Sequence, residues 1–318
     1  TILTSCEDDE DKTTTEVSGE LENGSTISGD ITSNTTLAEG YEYKLSGGVH
    51  VKEGATLTIK PGVKITAIDD DTPDYILIEQ GAKIDAQGTA SNPIVMTSET
   101  PENKWGGIHI CGKAHTNAES GSGSSEIGGA KYGGSDDKDN SGTLRYIRLE
   151  YTGFALDEEH EANGISFYGV GSGTTVDHIE SYKGGDDGFE FFGGSVNVNN
   201  MVSFDSSDDS FDWTEGWNGS ATNILAYQMS AEDDCLIEAD NNGKNYDAVP
   251  VSRPTIKNAI LIGNGGDGRG IRLRAGTQVI LDNVVACGKN MPLTVETGQT
   301  ETALKNGDAT ITNTTISA

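Results

Sequence analysis

Positive charge is scarce in this chain. Its 318 residues carry 21 Lys and Arg against 51 Asp and Glu, a net charge of −30. Such a surface repels nucleic acid and anionic membranes, which excludes both as partners, and it attracts divalent cations. Aromatic residues are also few, at 6%, and hydrophobic residues reach only 34%. That is lean for a compact α/β enzyme but adequate for a thin-cored solenoid of many turns. Cys6, Cys111, Cys235 and Cys287 include no CxxC pair or other metal-ligand spacing. In a solenoid rising about 4.8 Å per coil, Cys235 and Cys287 fall two coils apart, roughly 10 Å, beyond disulfide reach. With Cys111 they read as small buried hydrophobes. No apolar run approaches the roughly 20 residues of a membrane-spanning helix.

Other chemistries are missing as well. His50, His109, His115, His160 and His178 form no H-x-x-x-H pattern, and no Ser-His-Asp or Cys-His signature is recognisable. The glycine-rich stretches Gly121–Gly134 and Gly263–Gly270 lack the spacing of a phosphate-binding loop. Helix signals are nearly absent.

What the sequence does have is repetition. One phrase alternates apolar and polar residues between small ones: Gly164-Ile165-Ser166-Phe167-Tyr168-Gly169, then Gly188-Phe189-Glu190-Phe191-Phe192-Gly193, then Ser210-Phe211-Asp212-Trp213-Thr214. Looser copies are Cys235-Leu236-Ile237-Glu238-Ala239, Gly270-Ile271-Arg272-Leu273-Arg274-Ala275 and Pro292-Leu293-Thr294-Val295-Glu296-Thr297. Their first apolar positions, 165, 189, 211, 236, 271 and 293, step by 24, 22, 25, 35 and 22 residues. The long step holds an insertion at 240–255, and residues 112–142, rich in Gly, Ser and Asp, read as a second long loop leaving the repeat. A second phrase interleaves: Asn200, Asn223, Asn258 and Asn283 each precede an apolar run, and Asn313 begins a further copy. Asn once per coil marks a ladder of amides inside a turn, and His178 falls at the same turn. Period-2 strands within a coil of about 22–25 residues predict an all-β, right-handed parallel β-helix. Leucine-rich repeats have coils of similar length but need recurrent Leu and helices, and neither is present.

Several segments are similar to one group of Bacteroidota surface lipoproteins with a right-handed parallel β-helix. They are Gly54-Ala55-Thr56-Leu57-Thr58-Ile59-x-Pro61-Gly62, Gly88-Thr89-Ala90-x-Asn92-Pro93-Ile94, Trp105-Gly106-Gly107-Ile108, Leu144-Arg145-Tyr146-Ile147-Arg148-Leu149-Glu150-Tyr151 and the stretch from Gly185 to Gly194. That family has no assigned enzymatic activity, so the resemblance implies fold and location. At the start of the chain, Leu3-Thr4-Ser5-Cys6 resembles a lipobox, and the acidic run Glu7–Asp11 resembles a surface-export signal. Residues 1–40 are therefore expected to be a signal-peptide remnant, a lipidated Cys6 and an acidic flexible tether. Residues 41–318 are expected to form the β-helix, lipid-anchored at the outer membrane and facing the cell exterior. Glu232-Asp233-Asp234-Cys235-Leu236 resembles the Asp-Asp-Cys stretch of polygalacturonase-type hydrolases. That family's His-Gly pair and Arg-x-Lys have no counterpart at the right distance, so catalysis is not carried over.

Three acid pairs precede the strand phrase on consecutive coils: Asp186-Asp187, Asp208-Asp209 and Asp233-Asp234. Stacking sets equivalent carboxylates about 5 Å apart, where two unit charges repel by roughly 0.8 kcal/mol in water and several-fold more where solvent is thin. Calcium, a hard cation taking six to eight oxygens, would relieve this, with Asp205, Asp212, Glu190 and Glu232 as further ligands; otherwise the Asp side chains cap turn amides and splay into solvent. A pair of acids about 6.5–9.5 Å apart can also run inverting hydrolysis, but a ladder of acids makes such a pair almost unavoidable. Outward residues of the repeated strand, Tyr168, Glu190, Phe192, Asp212, Arg272 and Arg274, combine rings, acids and guanidinium groups suited to carbohydrate, although Tyr168 and Phe192 could equally lie beneath the 112–142 loop. The leading expectation is a non-catalytic lipoprotein, calcium-stabilised, that binds extracellular carbohydrate or serves an outer-membrane transport complex. A calcium-dependent polysaccharide lyase or glycoside hydrolase is the alternative, and a structural spacer or adhesin stalk the third.

Overall fold

The computed structural model describes residues 18–70, 72–157 and 160–318. They form a right-handed parallel β-helix in which 24 strands join one continuous sheet that winds around a single core. Each coil contributes to three faces. On the first lie Thr56–Ile59 and Lys83–Gln87, then the first halves of Gly142–Glu150, Thr175–Tyr182, Asn197–Phe204, Ser220–Tyr227, Thr255–Ile262 and Ile280–Cys287. The second halves of those long strands continue the face begun by Lys64–Ala67 and Ile94–Ser98. The remaining face stacks Tyr75–Ile78, Ile108–Cys111, Ile165–Tyr168, Phe189–Phe192, Phe211–Thr214, Ile237–Ala239, Arg269–Leu273 and Met291–Val295 in parallel register.

Alternation decides what each strand buries. On the last face Ile165 and Phe167, Phe189 and Phe191, Phe211 and Trp213, Ile237 and Ala239, and Ile271 and Leu273 all point inward. The residue between them points outward, in a row that reads Ser166, Glu190, Asp212, Glu238, Arg272 and Thr294 along the axis.

The long strands turn their corner through one residue in the left-handed region: His178, Asn200, Asn223, Asn258, Asn283 and Asn313 have φ between 50° and 58°. Asn tolerates that conformation better than most residues because its short side chain bonds locally. The amides are linked: Asn223 Nδ2 donates to Asn200 Oδ1 at 3.3 Å, Asn258 to Asn223 at 3.1 Å and Asn283 to Asn258 at 2.9 Å. The ladder faces solvent rather than the interior. Asn223→Ala breaks two rungs and leaves a left-handed residue without its local partner, so it should cost about 1–2 kcal/mol. Asn223→Gly should cost less, and urea denaturation of both variants separates the ladder from the backbone effect.

One boundary and one helix differ from the sequence expectation. Strands Gly19–Leu21, Thr26–Ile31 and Thr35–Leu37 already pair in parallel with the following coils, so the solenoid starts near residue 19 and not at 41. Ile27, Ile31 and Leu37 are isolated among Thr, Ser and Gly, which reads as a tether until stacking supplies them with a core. A helix, Gly298–Asn306, packs Thr300 and Ala303 inward and ends on a left-handed Gly307. Cys6 and the rest of residues 1–17 lie outside the described residues. Among the described residues no helix is long and apolar enough to cross a membrane.

Candidate metal centre

The repeated strand phrase begins one residue later than its sequence suggests on one coil. Ile237, not Leu236, pairs with Phe211 and Ile271. This slip moves Asp234, rather than Asp233, onto the position of Asp186 and Asp208, and sets Cys235 in the row of Asp187 and Asp209. The outcome is a grid of three coils by three positions. The first coil supplies Asp186, Asp187 and Glu190; the second Asp208, Asp209 and Asp212; the third Asp234, Cys235 and Glu238. Eight carboxylates and one thiol thus occupy nine stacked positions. Asp233 stands outside the grid, where its carboxylate accepts the Ser230 N–H at 3.2 Å.

All of the grid except Asp234 and Cys235 lines a trough of about 240 Å³ that Glu126 and Glu161 complete from outside the solenoid. Among the described residues three groups have ligand atoms within 4.8 Å of one another: Asp186, Asp187 and Asp208; Asp187, Glu190 and Asp212; and Asp209, Asp234, Cys235 and Glu238. Part of the acid row does cap backbone, since Asp187 Oδ1 accepts the Asp209 N–H at 2.8 Å and Asp209 Oδ1 accepts the Cys235 N–H at 2.7 Å. Each carboxylate keeps a second oxygen beyond these bonds.

The two ends of the trough differ. Asn163 closes the first end, one coil before Asp187. It is buried and its Nδ2 donates to Glu190 Oε2 at 2.6 Å, while its Oδ1 finds no partner among the described residues. The other end is guarded by cations: Arg272 Nη1 lies 2.9 Å from Glu238 Oε1, and Arg274 holds the other Glu238 oxygen. Both arginines are engaged further, Arg272 with Glu296 at 3.1 Å and Arg274 with Asp240 at 2.6 Å. Among the described residues no Lys or Arg pairs with Asp186, Asp187, Glu190, Asp209 or Asp212.

Buried charge without counter-charge is costly, and these groups respond by holding protons. Burial first, and neighbouring carboxylates second, raise Asp187, Asp209 and Asp212 well above the ordinary carboxylate range, and Glu190 with them. Asp186 is pushed up to about 8, Glu126 to about 7 and Asp208 to about 6, each chiefly by burial. Burial also raises the Glu238 carboxyl, opposed by Arg274 and Arg272.

The outward aromatics do not form an open ribbon. Tyr168 is 1% and Phe192 8% exposed. They pack with Leu77, Cys111 and Tyr132 in a second apolar cluster beneath the 112–142 insertion. That insertion folds back as a small antiparallel hairpin, Gly123–Ser124 with Lys131–Tyr132, which puts Tyr132 onto Tyr168 at a ring distance of 5.1 Å. Of the six residues expected on a carbohydrate face, Tyr168 and Phe192 are therefore covered, Glu190 and Asp212 line the trough, and Arg272 and Arg274 neutralise its end. Glu238, Asn163, Glu126 and Glu161 went unread in the sequence as site residues. The spacing D-D-x-x-E, D-D-x-x-D, D-C-x-x-E carries the grid, but only once Asp234 is aligned with Asp208.

A family model described as a pectate-lyase-like β-helix domain matches residues 29–318. The chain belongs to this family. No curated protein and no solved structure matches it. In this pectate-lyase-like β-helix, Cys111 and Cys235 are buried thiols, and Cys287 is partly so. Burial raises the Cys111 thiol to about 12, which suits an inert packing residue.

Proposed function

We propose that this protein is a cell-surface β-helix that holds calcium in the acidic trough and binds extracellular carbohydrate without cleaving it. The observation that carries the metal reading is the set Asp186, Asp187, Glu190, Asp209 and Asp212: clustered, largely buried, and without a basic partner among the described residues. Two of the three ligand groups offer oxygen alone, which suits a hard cation. Calcium fits a grid of side chains better than magnesium does, because it accepts six to eight ligands in flexible geometry while magnesium demands a near-ideal octahedron. At the Asn163 end the unpaired amide oxygen adds a neutral donor to Asp187, Glu190 and Asp212.

The case against a lyase rests on the arginines. A lyase needs a free base facing the acids, and each of Arg272 and Arg274 is held by two carboxylates. A lipid on Cys6 would place the solenoid outside the cell, where calcium and carbohydrate are both encountered, and where an outer-membrane transport complex is the fitting partner.

Calorimetric titration of chelator-treated protein with calcium tests the proposal. Saturable binding of at least one ion per chain is expected, together with its loss in Asp187→Asn/Asp212→Asn. An absence of binding in the parent protein overturns the metal reading. Release of new sugar ends from any bound glycan overturns the non-catalytic one.

A further inference from the structure

A second concavity adjoins the trough on the same strand. Its volume is about 540 Å³, within the roughly 300–1,000 Å³ usual for small-molecule sites. Its floor is Thr214 and Glu215, at the end of the strand that carries Asp212. Its walls are the two insertions that leave the solenoid, 112–142 and the one following Asp240. A buried amide network locks those walls together. Asn117 Nδ2 donates to Asn241 Oδ1 at 2.8 Å and to the Pro250 carbonyl at 2.9 Å, and Asn242 Nδ2 donates to Asn117 Oδ1 at 3.0 Å. Asn242 Oδ1 accepts the backbone N–H groups of Lys244 and Asn245 at 2.9 and 3.0 Å, which fixes the rim. Glu215 is likewise held, its Oε2 accepting from Thr116 Oγ1 at 2.7 Å and from the Tyr132 hydroxyl at 2.8 Å. A preformed cleft of this kind loses little entropy on binding.

We propose that this cleft binds a neutral, hydroxylated ligand, a short oligosaccharide. With the Asn117 and Asn242 amides spent on the walls, its lining still offers the Thr214 hydroxyl, the Asn245 Nδ2 donor and the second Glu215 oxygen. These donors and acceptors match sugar hydroxyls. The lining has no aromatic ring, so it supplies neither a stacking platform for a base nor a cage for a quaternary cation. Glu119 and Glu215 outweigh Lys244, and the acidic trough lies next to them, so an anionic glycan meets a field of its own sign. Asp212 and Thr214 point to the same side of their strand, roughly 7 Å apart. One chain can therefore run from the cleft to the rim of the trough. The assignment rests on the carbohydrate reading above but not on calcium.

The test is titration calorimetry of the full chain with neutral trisaccharides of glucose, mannose, xylose and galactose, and with trigalacturonate, each in calcium and in chelator. At least one neutral trisaccharide should bind, in chelator as well as in calcium. Gly243→Phe should abolish that binding, because a side chain there enters open space, with Asp240 Oδ2 the nearest atom at 4.0 Å. Thr214→Val, nearly isosteric, should weaken it at least tenfold, and both variants should melt like the parent. Binding of trigalacturonate alone, binding indifferent to both variants, or no binding of any neutral sugar overturns the proposal. Neutral-sugar binding that persists where calcium binding fails would sink the metal reading and leave the cleft standing.

Discussion

In the presence of a chelator, the melting temperature of this protein is expected to fall as pH rises from 5 to 8, and calcium should offset most of the fall. The sign follows from where the protons sit. Asp186 has its carboxyl pushed up to about 8 in the folded chain, against about 3.9 when unfolded. Between those values the folded state binds a proton that the unfolded state has lost. Stability is then greatest at acid pH and is lost as pH rises toward 8, opposite to the trend from a salt-bridged carboxylate. One such group lowers stability by about 1.4 kcal/mol per pH unit, so roughly 3–4 kcal/mol between pH 5 and 8. For a chain of this size that corresponds to a drop of about 5 °C. Asp208 and Glu126 add to the slope near 6 and 7. Calcium binds the deprotonated carboxylates, so its effect should grow with pH, reaching about 2.7 kcal/mol at a hundredfold excess over Kd. Asp187→Asn and Asp212→Asn should each raise the melting temperature of the metal-free protein at pH 8 and shrink the calcium shift. Asp209→Asn also leaves an amide at the cap of Cys235 and should shrink the shift alike. A flat or rising melting curve from pH 5 to 8 in chelator would show that the trough carries no raised carboxyls.

Phe191→Ala is expected to destabilise the solenoid by about 3–5 kcal/mol, the usual range for emptying a buried aromatic site. Phe191 lies between two ring neighbours, with Phe167 at 4.9 Å and 7° and Trp217 at 4.0 Å and 11°. Trp217 in turn contacts Trp213 at 5.7 Å. Truncation therefore removes contacts on both sides and leaves a cavity one coil deep between Phe167 and Trp217, whose stacked strands hold them apart. Stability in a repeat protein is a sum of coil and interface terms, and this substitution weakens two interfaces at once. The adjacent Phe192→Ala makes the contrast. Its ring stacks on Tyr168 at 4.5 Å in the cluster beneath the insertion, outside the main core. It should cost less in urea denaturation but render residues 123–132 sensitive to protease. Equal unfolding midpoints for the two variants would contradict the division into two clusters.

Much of the solenoid is legible in the chain because its signals are local. Alternation within Phe189–Phe192 or Ile271–Leu273 fixes which residues face the core, and Asn at 200, 223, 258 and 283 marks a corner that needs a left-handed residue. The first coils were not legible, since Ile27, Ile31 and Leu37 sit too far apart to display a period. The acid pairs were visible as a repeat, but their grouping was misaligned. Asp233-Asp234 resembles the earlier pairs in sequence, and one extra residue before Ile237 turns Asp233 away.

Composition and periodicity alone determined that this chain is an acidic β-helix with Asp recurring coil after coil, because side-chain direction in a strand depends only on parity. Only the tertiary structure decided which carboxylates meet. Register between coils moved Cys235 into the third Asp position, and packing drew Arg272 and Arg274 onto Glu238. The 112–142 insertion closed over Tyr168 and Phe192 while bringing Glu126 to the trough. Those outcomes depend on pairings between residues tens of positions apart, which no local pattern encodes.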